Sequence, residues 1–314
     1  MYYPIIRGRQ YDLLALRELK SKGRLSNKII PIIEPIKLSP TLVSTVNIFV
    51  EQGDKIIVIS NPKVGSLLGE LELSTSKVNF ENILRSEGVV VAHHFNKNSD
   101  SQLSSLIHNL DIGLNSIVII HSEKNLVNLY KDKFADNKPF LNLIPTDNAF
   151  KRQLNNVNIV GLDDKFNKLT RNVDYLEVEN EFFSEEHLYF HEEGYIGFSD
   201  YSVVGAEYNE GGFAPYAVAI HIVYPNQENA LEIRHFVSDS NDDTSDPAGK
   251  FSEALEKLIA WYSKYLEDSR MNTIAMGIFS EHYKNGTYPG LPTLKKLSIM
   301  HHLELIGNLL EEGD

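Results

Sequence analysis

Polar residues recur at matching places in this chain. Arg7, Glu34, Asn61, His93 with His94, His121, Asp164 and Asp200 each stand at or just beyond the end of a short apolar run. Gathered at one rim, a carboxylate and a histidine could pass protons to and from a substrate while an arginine holds an anion. That is the equipment for hydrolysing a phosphate-containing substrate. Glu34, His93, His121 and Asp200 are the candidate acid–base residues. Arg7, Asn61, Asp164 and Arg171 are the candidate ligand contacts, and Arg171-Asn172 could equally cap a helix. A plainer reading stands beside this one, because a strand end meets water and its polar residue can simply be solvated. Glu34, set between Ile33 and Pro35, could pair with Arg7 on a neighbouring strand.

Other constellations lead less far. Adjacent strand residues point to opposite faces, so only one of His93 and His94 can look inward. An inward histidine with His121 and Glu34 or Asp164 could hold a metal, but the spacing is not diagnostic and no metal is assigned. His301-His302-Leu303-Glu304 lacks the HExxH zinc signature. It reads as structural, with His301 and Glu304 in a helix-surface pair and His302 at a packing contact. The stretch 197–201, with Gly205 and Gly211-Gly212 beyond it, fits neither GxGxxG nor GxxxxGK[ST]. Ser199-Asp200 is not set in a GxSxG elbow, which argues against an α/β-hydrolase. No cofactor follows from any of these motifs.

The elements that would position these residues are eight apolar runs, at 3–6, 29–33, 56–60, 89–92, 117–120, 140–144, 157–162 and 195–198. Helix-length segments separate most of them. Strands alternating with helices must run parallel, and in such folds the C-terminal strand ends carry the chemistry. The expectation is a TIM-like (β/α)8 barrel. Leu13, Leu14, Leu16 and Leu19 form one face of the first helix, and Pro40 opens the second. Beyond residue 201 the pattern changes. Runs 216–224 and 231–237 are too close for a parallel crossover, so they form an antiparallel hairpin. Amphipathic helices follow at 251–266 and 294–310. We expect a single domain over 1–314, with 1–201 as barrel core and 202–314 as a hairpin-and-helix cap closing the barrel.

Composition narrows the classes. There are 314 residues, 42% hydrophobic and 23% charged, which is globular. The absence of cysteine excludes disulfides, thiolate catalysis and cysteine-held metal. A net charge of −13 opposes nucleic-acid binding by broad electrostatics. The N-terminal residues do not read as a signal peptide, and no apolar window is long enough for a membrane span. A cytoplasmic protein with no membrane association is the expectation.

Several stretches carry a likeness. They include Tyr3-Pro4-Ile5-Ile6-Arg7-Gly8-Arg9-Gln10, Ile30-Pro31-Ile32-Ile33-Glu34-Pro35, Gly197-Phe198-Ser199-Asp200-Tyr201 and Ala217-Val218-Ala219-Ile220-His221. Lys295-Lys296-Leu297-Ser298-Ile299-Met300-His301-His302 completes the set. Together they resemble the phage Beta-protein family, in a bacterial branch often found beside a nuclease-like gene. The resemblance implies a barrel-like α/β architecture and an association with mobile elements or anti-phage defence. It also implies a protein partner encoded nearby with a PD-(D/E)xK-type nuclease core. It supplies no catalytic mechanism. Two functions stay open: an interaction or ligand-sensing component of defence, and a phosphodiesterase-like hydrolase.

Overall fold

The computed structural model describes residues 1–154, 157–209, 211 and 215–313. Its strands are β1 (Ile5–Arg7), β2 (Ile32–Glu34), β3 (Ile56–Ile59), β4 (Val89–His94), β5 (Val118–Ile120) and β6 (Leu141–Pro145). They continue with β7 (Ile159–Leu162), β8 (Asn180–Ser184), β9 (Gly197–Ser199), β10 (Ala219–Pro225) and β11 (Leu231–Val237). By contact the chain falls into two compact units. One comprises Met1–Leu13, Ile29–Asp163 and Tyr189–Asp200, and the other Leu14–Lys28, Asp164–Leu188 and Tyr201–Asp314. The second unit thus takes two segments, Leu14–Lys28 and Asp164–Leu188, that the sequence reading counted with the barrel core.

The first unit is a nearly closed (β/α)8 barrel. Eight parallel strands follow in the order β1-β2-β3-β4-β5-β6-β7-β9, and each overlaps one of the eight apolar runs. Closure comes from the chain start. Tyr2 bridges Phe198, the Tyr3 amide donates to the Phe198 carbonyl at 2.9 Å, and the Ile5 amide donates to the Asp200 carbonyl at 2.8 Å. Closing the sheet leaves no strand edge exposed. Pro31 sits just before β2, a position where its missing N–H costs no ladder bond. The helix Pro40–Glu51 starts where proline suits, with Ser39 accepting from the Leu42 amide, and it buries Leu42, Val46 and Phe49.

Register decides what faces inward. Residues paired across a parallel sheet share a face, and alternate residues along a strand switch faces. Ile5 pairs with Ile32, Ile32 with Ile57, and Ile57 with Val90. Two steps along those strands, Arg7 pairs with Glu34, and Ile59 pairs with Ala92. His94 lies two beyond Ala92 and pairs with Ile120, which pairs with Leu143. These residues share the barrel interior. His93 pairs with Ile119 and Ile119 with Asn142, and all three face the opposite way, toward the helices.

The second unit holds an antiparallel sheet in the order β10-β11-β8 and three long helices, Pro247–Tyr262, Ile274–Asn285 and Leu291–Glu312. The expected hairpin is present, with His221 opposite His235. Strand β8 was not foreseen. Its two apolar residues are adjacent, Phe182 exposed and Phe183 buried, so it shows no apolar run and no alternation to read. The helix Leu291–Glu312 is buried through most of its length, including His301, His302 and Glu304. The expected surface pair of His301 and Glu304 is therefore corrected. His301 spans Val223 O (Nε2, 2.7 Å) and Thr273 Oγ1 (Nδ1, 2.8 Å), while Glu304 accepts from Arg24 at 2.5 Å and from the Ile274 amide at 2.8 Å. Buried polar atoms need such partners, because an unmade bond costs about 1–3 kcal/mol. His302 does rest on a packing contact, its ring 5.3 Å from that of Phe183.

Candidate functional site

Three side chains meet inside the barrel at the C-terminal strand ends: Arg7 from β1, Glu34 from β2 and His94 from β4. Arg7 and Glu34 form a buried ion pair, their side chains 7% and 2% exposed. The other Glu34 oxygen, Oε1, accepts from the Lys63 amide at 2.8 Å and lies 3.3 Å from His94 Nε2. That last approach lacks hydrogen-bond alignment, and neither ring nitrogen of His94 has a hydrogen-bond partner. Asn61 fixes the strand end. Its Oδ1 accepts from the His94 amide at 2.8 Å and its Nδ2 donates to the His94 carbonyl at 2.9 Å.

The loop after β3 brings Lys63 here because Gly65 lets it pass close to the loop after β2. Gly65 has φ +80°, and a Cβ there would meet Ile36 O at 2.2 Å. Ile36 O in turn accepts from the Ser66 and Leu67 amides at 2.7 and 3.0 Å. Lys63 reaches Ser122 Oγ at 2.9 Å with its ammonium. Burial lowers the Lys63 pKa, opposed by the charge of Glu123. Burial also pulls His94 down to about 3, helped by the positive charges of Lys63 and Arg7. The imidazole is therefore neutral at ordinary pH, between the Arg7–Glu34 ion pair and the Lys63 loop.

The remaining predicted residues do not join this cluster. His93 turns outward, with Nε2 2.8 Å from Ser99 Oγ at the start of the helix Ser99–Leu110. Burial, then the neighbouring His94, lowers it to about 3. His121 also lies in the layer between sheet and helices. Its ring is 4.7 Å from Tyr130 and 6.2 Å from Phe150, and its Nε2 is 3.0 Å from Asn142 Oδ1. Burial holds His121 down to about 4, with the Asn142 hydrogen bond opposing. Tyr2 donates to Asp200 Oδ1 at 2.5 Å and stacks on Phe198 at 4.8 Å, so Asp200 helps to seal the barrel seam. The proposed joint rim of Glu34, His93, His121 and Asp200 is thus corrected by strand parity, since only Glu34 of the four faces inward.

Asp164 and Arg171 belong to the second unit. Asp164 accepts from the Ala206 amide at 2.8 Å. Arg171 is exposed and pairs with Asp174 three residues on, at 2.5 Å, in the cap of a 3₁₀ turn. Of its two sequence readings, capping is the one seen. Gly212 of the glycine-rich stretch lies outside the described residues. The inward His121 needed for a metal site is absent, and no cluster of potential ligands able to hold a metal occurs among the described residues.

Sequence reasoning offered both His93 and His94 but took His93 as the candidate, and it missed Lys63. In β4 both alternate sets are apolar, Val90 and Ala92 on one face and Val89 and Val91 on the other, so periodicity could not choose between the two histidines. The signal for Lys63 was its place two residues after Asn61, in a loop at the C-terminal end of a strand.

No protein-family model matches this chain, and neither a curated protein nor a solved structure does. Among the described residues no helix is long and apolar enough to cross a membrane.

Proposed function

We propose that the chain is a ligand-sensing or interaction component of anti-phage or mobile-element defence, acting with a nuclease-like protein partner. The defence setting and the partner come from the resemblance to the phage Beta-protein family. The sensing role rests on one observation: His94 is buried inside the barrel with neither ring nitrogen hydrogen-bonded to the protein, Nε2 only approaching Glu34 at 3.3 Å. Buried polar atoms are almost always bonded, and where the protein supplies no partner the group is fitted to meet one from outside. A small polar ligand meeting His94 would touch the strand ends that carry Arg7 and Glu34. Turnover is less well supported. A general base works best with a pKa near the operating pH, and that of His94 lies far below it.

The chain, co-expressed with the nuclease-like neighbour that the resemblance implies, should hold that partner through size-exclusion chromatography. His94→Phe should abolish protection in a phage challenge while leaving the fold intact by circular dichroism. Elution alone, together with undiminished protection by the variant, sinks the reading.

A second reading, a hydrolase on a phosphate-containing substrate, draws on Arg7 and Lys63 flanking the Glu34–His94 contact. Cations in that position could hold an anion beside a carboxylate and an imidazole. A phosphodiesterase assay on bis(p-nitrophenyl) phosphate discriminates the two. Turnover lost in both Glu34→Gln and His94→Gln favours hydrolysis, and no turnover by the unaltered chain removes it.

A further inference from the structure

The second unit contains a cleft of about 490 Å³ that is separate from the barrel-interior cluster. That volume is in the usual range for small-molecule sites. One wall is the sheet face of β11, where Arg234 and Phe236 stand two apart and so project together. The other wall is a helical stripe at Lys257, Ala260, Trp261 and Lys264, spaced three and four apart. Phe236 and Trp261 lie with ring centroids 5.3 Å apart.

The charge of this cleft opposes that of the molecule. In a chain of net charge −13, three cations line it, Arg234, Lys257 and Lys264, against one acid, Glu179. Glu179 pairs with Arg234. Lys257 is held in place by the Val237 carbonyl at 2.7 Å and Asp239 at 2.6 Å. Lys264 is exposed and has no ion pair among the described residues. The buried Nε of Arg234 donates to no protein acceptor.

We infer that this cleft binds a small ligand that joins a flat ring to an anionic group, of the nucleoside monophosphate class. The ring would lie along the edges that Trp261 and Phe236 turn to the cleft. The phosphate would sit beside Lys264 and share the Arg234 guanidinium with Glu179, because a guanidinium matches phosphate geometry and a free ammonium adds point charge. Ring without phosphate, or phosphate without ring, satisfies only half of the site.

Trp261 is the only tryptophan in the chain, so its fluorescence reports directly on the cleft. Titration of the full chain with AMP, excited at a wavelength where the nucleotide does not absorb, should change this emission saturably. Calorimetry should give the same affinity. Adenosine and inorganic phosphate should each bind at least about 10-fold more weakly, since each makes only part of the contacts. Lys264→Glu, a surface change that does not threaten folding, should weaken AMP binding about 10-fold or more, and Arg234→Met by more than that. A flat calorimetric titration with AMP overturns the proposal. So does AMP binding left unchanged by Lys264→Glu and by a folded Arg234→Met. Equal affinities for AMP and inorganic phosphate overturn the aromatic half of it.

Discussion

His94 Nε2 lies 3.3 Å from Glu34 Oε1 inside the barrel, whereas the ring of the preceding residue, His93, bonds Ser99 on the helix side of the same strand. One step of strand parity separates a residue facing the interior cluster from one that ties a helix to the sheet. Glu34, although buried, is partnered at both oxygens. Arg7, the Lys63 amide and the His94 edge surround its two oxygens.

Removing Glu34 should therefore cost more than its ligand role alone would suggest. Glu34→Ala leaves the Arg7 guanidinium buried without its pair, a loss on the order of 3–5 kcal/mol. The double variant Arg7→Met, Glu34→Leu should recover most of that stability, because it removes both charges at once. Urea denaturation midpoints of the single and double variants check this. A single variant as stable as the unaltered chain would show that the pair contributes nothing.

Acid should destabilise the fold earlier than carboxylate protonation alone would. Burial lowers His93, His94, His221 and His302 to about 3, and His121 and His301 to about 4. These imidazoles are neutral when folded and take up protons on unfolding below their ordinary value of about 6.5. Their contribution is thus fully present above about pH 6.5 and is lost as pH falls toward 4 and 3. Each proton taken up on unfolding gives a slope of about 1.4 kcal/mol per pH unit. Unfolding free energy measured between pH 5 and 6 should fall with a slope of at least about two protons. A flat profile across that window would contradict the buried, neutral state of these rings.

Gly65 should resist substitution where Gly53 does not. Both have positive φ, +80° and +72°, but a Cβ at Gly65 meets Ile36 backbone at 2.2 Å while nothing lies within 4 Å of one at Gly53. Gly53→Ala should cost about 1 kcal/mol from backbone conformation alone. Gly65→Ala should cost about 2 kcal/mol or more, and it should move the loop that carries Asn61 and Lys63. Thermal melts of the two variants give the comparison, and equal costs would mean that the close approach to Ile36 is not required.

The eight barrel strands, their parallel order and the hairpin were readable from residue types and spacing alone, whereas β8 was not. Apolar runs of four to six residues between helix-length segments admit few other arrangements. The residues at the strand ends could likewise be named in advance, Arg7, Glu34 and Asn61 among them. The Arg7–Glu34 pair was among the readings, but which of the others would meet could not be named. A two-sided buried strand is apolar on both faces, so its sequence carries no mark of inside and outside. The register that aligns Arg7 with Glu34, and that carries His94 rather than His93 to the interior, arises only when the barrel closes. The same holds in the second unit, where Arg234 and Trp261 come from a strand and the helix that follows it. There the cleft exists because a helix packs across a sheet, and no local pattern in either segment encodes that contact.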